Sequence, residues 1–519
     1  MEHLFSPLMY LPDEILMIIL SNLHNMDLLY SLIGVNNRLD QIARDPYFTT
    51  QLALIKYNSS RVLTSSLSDL VLHRFCLHIL PQICYKVKWF KLETLSMERI
   101  LLAANYPNLN RLDILIMDQE TDINLFNNES PLAHIFQNQI KTLSISGRKS
   151  IHDVYPINMR GKLFSHILIM FTNLLYLKFY QSNIGTTYIS FNHQCPEFLS
   201  STLVELHINV YYFDDCLYLL DGRLHQLRSL SIKAFHILPL QSSINQKNEL
   251  SDLRCFSLTC DNKTFVYNEV IKPNLQRMSN LEKLALYLVI DYNEAFIDGN
   301  YLMKSIISHM PHLNEFIFNI RSIIFINNLA YLPSNDDVQR SFIKFDNHKI
   351  ISCVDYFPKE QIGQCHIYSY PYTPIYYENL TNNFPGGLFN CVKIVEIFDE
   401  RPFEHEFFIR IAQAFPFLQD LTITNMEAQQ QKSDDSNRHV ALIEYSYLAK
   451  LHLLSIHDDY AEQFLLDTKT CLPNNIHLII DYDILKRVTQ NLTRDATRIN
   501  YSKVERLSAH HKVDLSKYL

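Results

Sequence analysis

The sequence predicts an α/β chain in which a short three-helix module precedes a curved solenoid of parallel strands with helices outside. Three observations carry this. Residues 11–46 hold three short apolar-striped segments bounded by helix start and stop signals. From Leu109 to Leu453, runs with apolar residues at i, i+3 and i+5 recur along the chain. Amphipathic segments of helical period lie between many of those runs.

The bulk properties narrow the possibilities. A chain of 519 residues exceeds one ordinary core, and an elongated repeat array is one way to use that length. With 47% hydrophobic and 19% charged residues, most of it should fold. A net charge of −8 without a long basic run argues against nucleic acid as the main partner, because phosphate binding needs clustered Lys and Arg. Only 9 glycines argue against phosphate-cradling loops and a hairpin-rich fold. The 10 cysteines form no C-x-x-C pair, as expected of free thiols in a reducing compartment. The apolar run Ile15–Leu20 is short and follows acidic residues, unlike a secretory leader. No stretch approaches the ~20 apolar residues of a membrane span. The expectation is a cytoplasmic or nuclear protein, with Asn128-Glu129-Ser130 a chance glycosylation triplet.

In the N-terminal module, Pro12 is expected in the first turn of a helix, where its missing N–H costs nothing, and Asp13 and Glu14 suit the positive end of the dipole. Leu11, Ile15, Ile19 and Leu23 form one stripe; Leu16 and Leu20 form a second beside it. Met17 and Ile18 make the helix apolar over most of its circumference. Asp27 is expected to cap a helix Leu28–Ile33 that Gly34 ends. Val35, Leu39 and Ile42 give a third, limited by Pro46. So small a module cannot bury this surface itself, which implies a partner.

The run LPDEILMIILSNLHNMDLLYSLIGVNNRLDQIARDPYF resembles the F-box motif over nearly its whole length. The resemblance implies binding to the adaptor Skp1, which links to a cullin and a RING protein. It carries Leu11, Pro12, Ile15, Leu16, Ile19, Leu23, Leu28, Leu29 and Val35 over as Skp1 contacts. Where the family often has Cys-Lys-x-Trp after the Val, this chain has Asn36-Asn37-Arg38-Leu39, which implies a smaller apolar contact there. The implied function is a non-catalytic substrate receptor of a Skp1–cullin–F-box ubiquitin ligase, needing no cofactor. The alternative is a Skp1-binding scaffold acting outside ubiquitination. The expected boundaries are an F-box at 5–52, a helical connector at 53–100 and a solenoid at 101–519.

The recurrent runs begin with Leu109-Leu112-Ile114, Ile140-Leu143-Ile145 and Leu174-Leu177-Phe179. They continue from Leu203, Leu227, Leu253, Leu281, Leu313, Val392 and Leu418 to Leu448-Leu451-Leu453. Most starts are roughly 24 to 34 residues apart. Each run is short enough for a strand, and Pro107, Pro311 and Pro416 mark helix-to-strand steps. Helix, proline and strand in series resemble the leucine-rich-repeat horseshoe. The Asn or Cys expected later in each repeat is missing, with Met117, Ser182, Tyr211, Asp261 and Val289 in its place. Residues 321–388, which contain Pro358, Pro371, Pro374, Pro385 and the segment Tyr368–Tyr372, are expected as a packed insertion. Glu427–Arg438 is expected as a mobile loop, and the chain should end in a cap.

No phosphate-loop, nucleophile-elbow or H-E-x-x-H motif occurs. His405-Glu406 lacks a second ligand one turn on, Cys365-His366 reads as a structural thiol beside a divergent neighbour, and His510-His511 is isolated. By strand alternation, the residues facing away from the core are Arg111, Asp113, Tyr176, Lys178, Tyr180, Glu205, His207, Asn209, Lys283, Tyr287, Glu315 and Asn319. Of these, Tyr176, Lys178, Glu205, His207, Lys283 and Tyr287 are the candidate target contacts.

Overall fold

The computed structural model describes residues 10–57, 63–65, 67–116, 125–126, 130–147, 157–179, 187–192, 194, 196–240, 252–291, 295–328, 331–345, 349–430 and 441–510. The chain is mixed α/β with extensive parallel sheet, and it divides into two compact units. One is Met1–Val289 with Lys304–Phe316; the other is Ile290–Met303 with Ile317–Leu519. No described helix is long and apolar enough to cross a membrane.

The first unit opens with α1 (Asp13–Leu20), α2 (Asn25–Leu32), α3 (Asn37–Ala43) and the single turn α4 (Pro46–Thr49). Pro12 stands just before α1, and its carbonyl accepts the Leu16 N–H at 3.1 Å. The start expected at Asp27 is corrected: α2 begins at Asn25 with His24 as N-cap. Asp27 lies in the first turn, where the dipole favours its carboxylate equally well. Gly34 has φ +87°, the left-handed position that ends a helix without Cβ strain. The Asn36 side chain caps α3 by accepting the Leu39 N–H at 2.9 Å. Pro46 does more than stop α3, because the Asp45 carboxylate accepts the Tyr47 N–H and starts α4. Arg38 ties α3 to the head of α1, reaching the Asp13 carboxylate (2.8 Å) and the Leu11 carbonyl (2.5 Å).

A parallel sheet follows in chain order: β1 (Gln51–Leu54), β2 (Trp89–Glu93), β3 (Arg111–Ile116), β4 (Thr142–Gly147), β5 (Tyr176–Phe179), β6 (Glu205–Tyr212), β7 (Ser229–His236), β8 (Cys255–Thr264) and β9 (Lys283–Ile290). Glu315 and Phe316 begin β10 (Glu315–Phe325). The second and third apolar positions of each run point into the core: Leu112 and Ile114, Leu143 and Ile145, Leu177 and Phe179 are all buried. One carbonyl before each strand accepts two successive amides of the next. Lys88 takes Asn110 and Arg111; Asn110 takes Lys141 and Thr142; Lys141 takes Leu175 and Tyr176. The same fork recurs at Leu175, Val204, Arg228, Arg254 and Glu282.

The helical connector expected at 53–100 contains strand as well as helix. Helices Asp69–Arg74 and Thr94–Leu102 are present, but β2 lies between them and pairs with β1 and β3. Val87, Phe90 and Leu92 have the repeat spacing, and all three are buried.

In the second unit β10 pairs antiparallel with β12 (Ile362–Ser369), which pairs antiparallel with β11 (Ile350–Phe357). Parallel pairing runs through β13 (Tyr376–Leu380), β14 (Ile394–Phe398), β15 (Asp420–Asn425), β16 (Lys450–Ile456), β17 (Ile476–Asp481) and β18 (Val504–His510). Residues 321–388 therefore contribute strands to the sheets, from the end of β10 through β11 and β12 to β13, and parallel order begins at Tyr376 rather than Val392. Tyr368, Tyr372 and Tyr377 are buried with Phe384, Phe389 and Phe415, so this tyrosine-rich segment is core. The start of the expected loop at Glu427 is packed: Gln429 is buried, donating from Nε2 to the Phe403 carbonyl. Residues 431–438 of that loop, together with Met117, Tyr180, Ser182, His511 and the 128–129 part of the glycosylation triplet, lie outside the described residues.

Candidate functional site

Two surfaces of the first unit stand out, and both follow from local rules. In the N-terminal module the core is filled by Leu16, Leu20, Leu28, Leu29, Leu39 and Ile42. Leu16, Leu28 and Leu29 were expected as partner contacts; that is corrected, because side chains 0–1% exposed hold the helices together and cannot meet another molecule. Pro12, Ile15, Ile19, Leu23 and Val35 are exposed, and Leu11 is half-buried. Ile18 joins the exposed set at 63%. Three of these isoleucines share α1, so a folded and capped helix leaves much of its apolar circumference in water.

The second surface is the outward face of the sheet. Tyr176 pairs with Glu205 and Lys178 with His207 across β5 and β6. His207 Nε2 lies 2.7 Å from the Glu205 carboxylate, and its ring is 5.4 Å from that of Tyr176. Burial, then the Glu205 carboxylate, push the Tyr176 phenol above its ordinary range, so it stays a neutral donor. These four expected residues are brought together. Lys283 and Tyr287 are not with them: they sit on β9, with Lys283 ion-paired to Glu315 at 2.9 Å. Near the start of the sheet, Arg111 lies over the Trp89 ring at 4.5 Å and pairs with Asp113 at 3.1 Å.

Two residues on this face differ from expectation. Asn209 is 1% exposed, covered by the segment at Thr187, whose carbonyl accepts from its amide at 3.3 Å. Beyond it, an aromatic cluster was missed. Tyr188, Tyr211, Phe235 and His236 are all partly exposed. Ring centroids are 5.0 Å apart for Tyr211–Phe235, 5.1 Å for Tyr188–Phe235 and 4.4 Å for Phe235–His236. The signal was available, because Glu205, His207, Asn209 and Tyr211 continue one period-2 series and Ser229, Ser231, Lys233 and Phe235 another. Lys233 flanks the cluster, paired with Asp261 at 2.6 Å. Rigid aromatic side chains beside paired charges form a surface suited to protein recognition.

Elsewhere, Cys365, His366 and His405 have structural settings. Cys365 and His366 are both buried, and the His366 ring bonds the Asn319 side chain at 2.6 Å. His405 is held between Gln463 and the Ala441 carbonyl. Among the described residues, no group of three or more His, Cys, Asp or Glu side chains is arranged to hold a metal. In comparisons with known proteins, the chain matches no family model and no curated protein sequence.

Proposed function

We propose that this protein is a substrate-recognition subunit of a Skp1–cullin–F-box ubiquitin ligase. In this reading the N-terminal helices bind the adaptor and an irregular leucine-rich-repeat-like solenoid binds the target. The observation that carries it is the exposed apolar strip of Pro12, Ile15, Ile18, Ile19, Leu23 and Val35 on a module whose core is already filled. A strip like this needs a protein partner, and the F-box resemblance supports the adaptor as that partner. The chain-ordered parallel strands, each joined to the last by the forked carbonyl, support the solenoid reading. The aromatic and charged outward face supports a protein target on that surface.

The test is direct. Because Ile18 is mostly exposed, Ile18→Asp should leave the melting transition unchanged. Placed in a dry interface, the same carboxylate should weaken binding to purified Skp1 by about 2–4 kcal/mol in calorimetry. Equal Skp1 affinity for wild type and variant would remove the proposal.

A further inference from the structure

Beside the N-terminal helices the first unit holds a cleft of about 1100 Å³. This is slightly above the usual range of ligand-pocket volumes, ~300–1,000 Å³. One wall comes from α2 with Met26 and Tyr30; another carries Leu67 and Val71; Trp89 lies between them and β1 in the lining. The remaining wall is β1, the edge strand of the sheet.

The hydrogen-bond parity of β1 fixes what the cleft offers. The Thr50 carbonyl accepts the Trp89 N–H at 3.1 Å, and Gln51 is in register with Trp89. In a parallel ladder this directs the amides and carbonyls of Thr50, Leu52 and Leu54 towards β2. Those of Gln51, Ala53 and Ile55 point the other way. The Asn25 side chain takes the Gln51 carbonyl at 3.1 Å. No described group takes the outward backbone groups of Ala53 and Ile55. The Trp89 indole N–H is buried without an acceptor among the described residues.

We propose that this cleft binds an extended segment of the target protein, which adds to β1 as an extra strand. This rests on the reading of the protein as a target receptor. Only an extended backbone presents donors and acceptors at the spacing that Ala53 and Ile55 require. Its alternate side chains meet the apolar walls. The target is the occupant because the cleft runs into the outward face: Trp89 is in register with Arg111, and Lys91 with Asp113.

The experiment uses a random dodecapeptide phage library selected on the full-length protein. Selected peptides are then titrated against it while the emission of Trp89, the single tryptophan, is recorded. The peptides should alternate apolar and polar residues and shift that emission. Ala53→Pro removes an outward N–H and no ladder bond, so it should weaken them by about tenfold or more, whereas Ala53→Val should leave affinity within about twofold. Met26→Arg, which fills the cleft from α2 without touching the sheet, should also abolish binding, and it decides the matter if Ala53→Pro does not fold. Equal affinity for wild type and Ala53→Pro, peptides of helical period, or loss of Skp1 rather than peptide in either variant would overturn the proposal. Failure of the adaptor reading appears separately, as absence of Skp1 binding by the wild-type chain.

Discussion

Leu177 and Lys178 are neighbours in β5, so their side chains leave opposite faces of the sheet. Leu177 is fully buried and lies in register between Leu143 of β4 and Leu206 of β6. Leu177→Ala removes three buried carbons at about 0.8 kcal/mol each. A close-packed site between two other leucines collapses poorly, so the residual cavity raises the cost to about 3–4 kcal/mol. Lys178→Ala removes a chain that leans over the outward face, at a cost within about 0.5 kcal/mol. Urea unfolding followed by Trp89 emission and circular dichroism reads both, and the first should lower the midpoint by about 1 M or more. Similar losses for the two variants would refute the strand alternation, and with it every assignment of residues to the outward face.

Two further outcomes are expected. Charge reversal at Lys178 together with Glu205 should abolish target capture and spare Skp1 binding in parallel pull-downs, because the two residues sit on facing strands remote in sequence from α1. Burial, and secondarily the Arg321 guanidinium, hold the His366 ring well below its ordinary 6.5, so only the unfolded chain takes up its proton near that pH. The stability this ring permits is complete above about 6.5 and falls as pH drops below it. His366→Gln should flatten that slope in urea midpoints; an unchanged slope would contradict the assignment. Asp355, pushed up by burial, acts in the opposite sense, so the slope difference between the two proteins is the quantity to compare.

Much of the strand layout could be read directly. From Leu109 to Leu448, every quoted run is followed by a strand beginning two residues after its first apolar residue. What was missed has identifiable physical causes. The β11–β12 hairpin is buried on both faces over most of its length, so it has no apolar–polar alternation to detect. Ahead of β17, the slot filled by Leu448 in the preceding repeat falls to Asn475, whose φ of +65° makes a turn instead. At the N-terminal module, apolar periodicity located the helices. It could not divide Leu16, which faces inward, from Ile15, Ile18 and Ile19, which face out, because almost the whole circumference of α1 is apolar.

The forked carbonyl at the head of each strand also bears on how such a chain can change. Alignment of each strand is set anew by two amides converging on a single oxygen, as at Lys141, Leu175 and Val204. The connecting segments are therefore released from any duty to keep count. A change of length between Phe179 and Glu205 that kept the fork at Leu175 would leave Lys178 opposite His207. Length and alignment become separately heritable: connections can drift, and the outward side chains can be exchanged one by one, without a neighbouring strand being asked to move.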